Sequence, residues 1–128
     1  MPITLGLIGI TTADLNRSLA FYRGLGIAVP DADGTEPHLE VTLPNGPRLA
    51  WDALETVRGF DPGFKLADGR SAVSLAFELS DPSEVDETYQ RVAADFGGHL
   101  APWDAPWGQR YAILLDPDGN TVDLFASN

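Results

Sequence analysis

Ala72-Val73-Ser74-Leu75-Ala76-Phe77-Glu78-Leu79-Ser80-Asp81-Pro82-Ser83-Glu84-Val85 changes periodicity partway along, and that change decides the fold. Val73, Leu75, Phe77 and Leu79 alternate with small or polar residues, a period of two that predicts a strand with one apolar face. Asp81-Pro82-Ser83-Glu84 then starts a helix. The aspartate can accept the unpaired N–H groups of the first turn, the proline needs no N–H partner there, and glutamate stands third. Val85, Tyr89, Val92 and Phe96 follow at i, i+4, i+7 and i+11, and Gly97-Gly98 ends the helix. Beyond it, residues 99–103 predict a short strand. Residues 109–115 and 121–125 flank the turn Asp116-Pro117-Asp118-Gly119-Asn120 and predict a closing hairpin.

The same order occurs upstream. Residues 3–12 are rich in β-branched and apolar side chains and predict a strand. Asp14 stands as a helix cap, with Leu15, Leu19 and Tyr22 recurring behind it and Phe21 and Leu25 widening the stripe. Gly24 and Gly26 mark the helix end. Residues 31–37 are polar and read as a loop or an irregular strand start. Residues 38–43 alternate, Pro44-Asn45-Gly46-Pro47 is a turn, and residues 48–52 return. That alternation sends Leu39, Val41, Leu43, Leu49 and Trp51 toward the helix. It sends His38, Glu40, Thr42, Arg48, Ala50 and Asp52 to the other face. From Ala53 to Arg70 the pattern weakens into glycine, proline and charge. This stretch reads as a linker in which Phe60 and Phe64 are expected to pack into the core.

The chain is thus an internal repeat of low identity, in which Asp14 corresponds to Asp81 and Gly46 to Gly119. Its 128 residues suit a single domain, 1–128, with modules at about 1–58 and 71–128 and the linker between them.

Apolar residues make up 44 % of the chain and charged residues 21 %, enough for a core at this size. The net charge of -11 disfavours nucleic acid and anionic membranes as partners. No apolar run approaches the roughly 18 residues of a membrane span. There are no cysteines, which excludes disulfides and thiolate metal sites. The start lacks the basic and apolar regions of a signal peptide, so a soluble, cytoplasmic protein is expected. No phosphate-binding glycine loop, nucleophile elbow or cysteine nucleophile is present.

Three segments carry a resemblance to a known family. They are Thr11-Thr12-Ala13-Asp14-Leu15-Asn16-Arg17-Ser18-Leu19-Ala20-Phe21-Tyr22, Ser74-Leu75-Ala76-Phe77, and Trp107-Gly108-Gln109-Arg110-Tyr111 through Asp116-Pro117-Asp118-Gly119-Asn120-Thr121-Val122-Asp123-Leu124. In this order they resemble the glyoxalase/bleomycin-resistance (vicinal oxygen chelate) superfamily across nearly the whole chain. The resemblance implies an α+β fold of two βαβββ modules, with curved mixed sheets enclosing a ligand cavity, in many members completed by a homodimer. It also implies one of two chemistries: metal-dependent lyases, epimerases, dioxygenases and thiol transferases, or metal-free drug binding.

The metal positions that the resemblance implies fall on Leu7 and Ser74, each seven residues ahead of its capping aspartate. The other two fall on Ala50 and Asp123, each four after a hairpin glycine. Leu7 and Ala50 have no lone pairs to offer, serine is a poor ligand, and Asp123 alone keeps a carboxylate. No metal and no cofactor is therefore expected, and no catalytic residue is assigned. A substitute site from His38, Glu40 and Asp52 is conceivable; an ordinary polar lining role for His38 is the plainer expectation. His99, behind a helix-ending glycine pair, is expected at the surface or in a capping role.

A small organic ligand, aromatic or cationic, is expected to meet His38, Glu40, Arg48, Asp52, Ser74, Trp103, Trp107, Arg110, Tyr111 and Asp123. Aromatic rings supply apolar area, and arginine can grip a carboxylate or stack. Core or interface packing competes as a role for Trp103 and Trp107, and an ion pair with Arg48 competes for the carboxylates. The alternative to a binding protein is a glyoxalase-like lyase, isomerase or dioxygenase with a divergent metal site.

Overall fold

Both aspartates expected to start helices do so. In the computed structural model, which describes residues 2–33 and 35–128, Asp14 Oδ1 accepts from the Arg17 N–H at 3.1 Å. Asp81 Oδ1 accepts from the Glu84 N–H at 3.0 Å, with Pro82 in the first helical turn. The chain forms two compact units, Met1–Leu66 and Ala67–Asn128, whose boundary falls inside the expected linker.

In the first unit, β1 (Leu7–Thr12) leads into α1 (Leu15–Gly24), then β2 (His38–Thr42), β3 (Arg48–Ala53) and α2 (Leu54–Phe60). The sheet order is β1-β3-β2, with β1 parallel and β2 antiparallel to β3. A parallel pair needs a long crossover, which α1 provides. The helix buries Leu15, Leu19, Phe21 and Tyr22, and Tyr22 meets Trp51 edge-on at 5.6 Å. Leu49 and Trp51 are fully buried, as their alternation requires.

Four details differ from the expectation. The first strand begins at Leu7, and upstream of it Ile3 and Leu5 are 98 % and 67 % exposed. The weak pattern after Ala53 opens with a helix: α2 buries Val57 and packs on β1 and β3. Phe60, expected in the core, ends that short helix on its outer side and is 75 % exposed. Among the described residues between α1 and β2 no strand forms, so this unit carries one strand fewer than the second.

The second unit is a complete β-α-β-β-β: β4 (Ser74–Glu78), α3 (Pro82–Phe96), β5 (Leu100–Ala105), β6 (Gln109–Leu115) and β7 (Thr121–Ser127). The order is β4-β7-β6-β5, with β4 parallel to β7 and the other pairs antiparallel. α3 packs on β5, β6 and β7, closing a core of Val85, Val92, Ala112, Leu114, Val122, Leu124 and Ala126. β5 runs further than residues 99–103 because a register shift between Leu100 and Trp103 absorbs the extra chain in this half.

The β6–β7 turn is built on Asp116. Its Oδ1 accepts from the N–H groups of Asp118 and Asn120, both at 2.9 Å, and its Oδ2 from Asn120 Nδ2 at 2.8 Å. Gly119 sits there at φ +86°, where a Cβ would lie 2.4 Å from the Gly69 carbonyl oxygen. Among the described residues no helix is long and apolar enough to cross a membrane.

Candidate functional site

The Asp116 turn sets the register of β6 on β7, and that register places a buried carboxylate, Asp123, on the sheet face opposite α3, which it shares with the exposed Glu78 of β4. Val122, Leu124 and Ala126 point to the helix, so Asp123 and Phe125 point away. Asp123 stands opposite Ile113 on β6 and Ala76 on β4; Phe125 stands opposite Tyr111. Asp123 is only 7 % exposed. The Tyr111 hydroxyl donates to its Oδ2 in a short hydrogen bond. Its Oδ1 is buried and has no hydrogen-bond partner among the described residues. Burial first, then the bond to Asp123, pushes the Tyr111 phenol up to about 12, so at neutral pH it keeps its proton and donates.

A run of aromatic rings extends from Tyr111. Trp107 meets it at 5.4 Å and Trp103 meets Trp107 at 5.7 Å, both edge to face, while Phe125 stacks on Tyr111 at 6.3 Å. Cross-strand pairing of Trp103 with Tyr111 and of Tyr111 with Phe125 produces this ladder. Trp107 lies on the β5–β6 turn, which Gly108 permits at φ +91°, and its indole N–H donates to Gln109 Oε1 at 2.8 Å. Trp103 and Trp107 remain 40 % and 58 % exposed.

Arg110 does not join this group. By alternation it lies on the helix side, where its Nε donates to Asp86 of α3 at 2.9 Å and its NH1 to Asp104 at 3.3 Å. Ser74 is exposed and stands opposite Thr121, so Ala76 is the β4 neighbour of Asp123. In the first unit the parallel register sets Gly9 beside Ala50 and Leu7 beside Arg48. At these positions Asp123 alone carries a donor of the kind a divalent ion needs, and the residues present there do not fit one. Among the described residues no three His, Asp or Glu side chains are grouped to hold a metal.

His38, Glu40, Arg48 and Asp52 share a face of the first sheet, as expected, and form a chain of ion pairs. His38 Nδ1 lies 2.6 Å from Asp52 Oδ1, its Nε2 lies 2.8 Å from Glu40 Oε2, and Arg48 NH1 donates to Glu40 Oε1 at 2.7 Å. The antiparallel register that sets His38 opposite Asp52 makes this possible. Hydrogen bonds to Glu40 and then Asp52 raise the His38 pKa above its ordinary value, and His38 and then Arg48 lower that of Glu40. Both ring nitrogens face carboxylates, so the imidazolium is a bridge between them and has no lone pair for a metal.

Eight of the ten expected site residues thus fall into two groups, one in each unit: His38, Glu40, Arg48 and Asp52 in the first, and Trp103, Trp107, Tyr111 and Asp123 in the second; Ser74 and Arg110 join neither. Two participants were not anticipated: Phe125, whose place follows from its spacing of two from Asp123, and Gln109, the partner of Trp107. Elsewhere in the second unit Arg70 NH1 donates to His99 Nε2 at 2.9 Å, and its Nε and NH2 approach Thr121 Oγ1 at 3.4 Å. No spacing rule signals that cluster.

A family model described as the glyoxalase/bleomycin resistance protein/dioxygenase superfamily matches residues 4–124. A glyoxalase/bleomycin resistance protein/dioxygenase from Nocardioides is 28 % identical, with a TM-score of 0.76 over 99 % of this chain and 85 % of that one. A glyoxalase/bleomycin resistance protein/dioxygenase family enzyme from Burkholderia phytofirmans is 20 % identical, with a TM-score of 0.82 over 98 % of this chain and all of that one. A lactoylglutathione lyase from Agrobacterium tumefaciens is 21 % identical, with a TM-score of 0.68 over 98 % and 95 %. At these last two identities the likeness is one of fold. No curated protein matches the chain.

Proposed function

Because the chain belongs to the glyoxalase/bleomycin resistance protein/dioxygenase superfamily, we propose that it binds a small organic molecule on the Asp123 face of its second unit, without a metal. The observation that carries this reading is the donor set. The family resemblance implies metal ligands at Leu7, Ala50 and Ser74, whose side chains do not suit a divalent ion, and at Asp123, which spends one oxygen on Tyr111. What that face offers instead is aromatic surface, exposed at Trp103 and Trp107, beside a buried polar anchor. A site of this kind gains affinity from ring contact and orientation from a few polar atoms.

The test joins metal analysis of the purified protein to calorimetric titration with a panel of small aromatic metabolites and antibiotics. The expected result is no stoichiometric metal and saturable binding that Trp107→Leu weakens. Stoichiometric nickel, zinc, iron or manganese, lost in Asp123→Ala, would instead support a glyoxalase-like lyase, isomerase or dioxygenase with a divergent site. The reading extends to a homodimer, supported by the exposed apolar side chains Ile3, Leu5 and Val73. Sedimentation of the chain as a monomer at micromolar concentration would remove that part.

A further inference from the structure

We propose that the molecule bound at this face is an organic cation with a flat aromatic body, and that one of its N–H groups hydrogen-bonds to Asp123 Oδ1. This rests on the binding reading above and names the ligand class.

A carboxylate shielded from water seeks donors on both oxygens, and an ionised one also seeks a counter-charge. Asp123 is 7 % exposed, yet its one donor is the neutral Tyr111 hydroxyl, on Oδ2. Oδ1 is buried, with no partner among the described residues. Its cross-strand neighbours Ala76 and Ile113 have no side-chain donors. Two guanidinium groups of the same unit are engaged elsewhere: Arg110 on Asp86 and Asp104, Arg70 on His99 and Thr121. The missing partner is therefore a donor, and a positive one. A cationic N–H bonds a carboxylate oxygen more strongly than a neutral one does.

The rings favour the same class. Trp103, Trp107, Tyr111 and Phe125 form a continuous aromatic run that is tied to Asp123 through Tyr111, and aromatic faces attract cations. Tyr111 keeps its proton far above neutral pH, so it remains a donor and adds no second negative charge. Oδ1 is out of contact with solvent, so an incoming group must displace whatever covers it. Trp107, on a turn and more than half exposed, offers ring surface to the flat body of the ligand.

The test uses three probes on the intact protein at pH 7: benzamidinium, its neutral isostere benzamide, and phenyltrimethylammonium, an aromatic cation with no N–H. Calorimetry is expected to give benzamidinium an affinity about tenfold or more above each of the others, the usual worth of a charge-assisted hydrogen bond. Asp123→Asn should abolish that preference, and Trp107→Leu should weaken benzamidinium binding several-fold. Benzamide binding as tightly as benzamidinium would overturn the cation assignment while leaving the face a binding site. Equal affinity for phenyltrimethylammonium would overturn the hydrogen bond, and decides the matter if Asp123→Asn fails to fold. No binding of benzamidinium where other panel compounds bind would overturn this inference alone. No binding of any compound would overturn both readings.

Discussion

Tyr111 and Asp123 are joined diagonally across β6 and β7, the phenol donating to Oδ2, although neither stands opposite the other in the ladder. The diagonal is within reach of a long aromatic side chain. It ties the aromatic run to the one buried carboxylate on that face, so perturbing either residue should be felt at the other.

Alkaline titration reads this bond directly. Tyr111 is pushed from the ordinary 10.0 up to about 12. The ultraviolet difference between wild type and Tyr111→Phe should therefore show an ionisation near 12. A midpoint near 10 would refute the buried bond. Because the folded pKa is raised, the stability it contributes is full below about pH 10 and lost as pH rises toward 12.

Tyr111→Phe removes the one donor on a buried carboxylate and should destabilise the protein by about 1–3 kcal/mol in urea unfolding. Combining it with Asp123→Leu removes the stranded acceptor as well. The double variant should then be more stable than Tyr111→Phe alone. If it is less stable, the acceptor was not stranded.

The His38 bridge predicts a bounded pH window. Its pKa is raised above 6.5, so its contribution is complete below that value and lost as pH rises through the folded pKa. The pKa of Glu40 is lowered below 4.5, so its contribution is present above 4.5 and lost as pH falls through the folded pKa. The proton spectrum of the His38 ring should titrate above 6.5 in wild type and move back toward it in Asp52→Asn. An unchanged midpoint in that variant would remove Asp52 from the network.

Gly46 and Gly119, which correspond in the repeat, should respond differently to alanine. At Gly119 the backbone is left-handed and a Cβ would meet the Gly69 carbonyl, so Gly119→Ala should cost about 1–3 kcal/mol. In the first hairpin the left-handed residue is Asn45, at φ 55°, and a Cβ on Gly46 meets atoms only at 3.7 Å. Gly46→Ala should stay within about 0.5 kcal/mol. Equal urea midpoints for the two variants would contradict this.

Local rules read from the chain explain much of what formed. Asp14 and Asp81 cap helices because a cap needs only a side-chain oxygen near three successive N–H groups. Alternation put Trp51 on the helix side of its strand and set His38 and Glu40 on one face of theirs, because a strand's side chains change face at every residue. Spacing from the helix caps and hairpin glycines found Asp123 as the one carboxylate among the positions the family resemblance marks. α2 was not legible, because a seven-residue helix with one buried side chain leaves almost no periodic signal.

What the sequence by itself determined is therefore the set of faces: which residues share a side of a strand or helix, and that lone pairs are missing at Leu7 and Ala50. What only the tertiary structure decided is who meets whom on those faces. Arg110 went to Asp86, 24 residues away, Tyr111 went to Asp123, and one carboxylate oxygen was left without a donor. Those outcomes depend on cross-strand register and on how a helix seats on its sheet. Both are settled by packing between segments distant in the chain, and local periodicity carries no record of it.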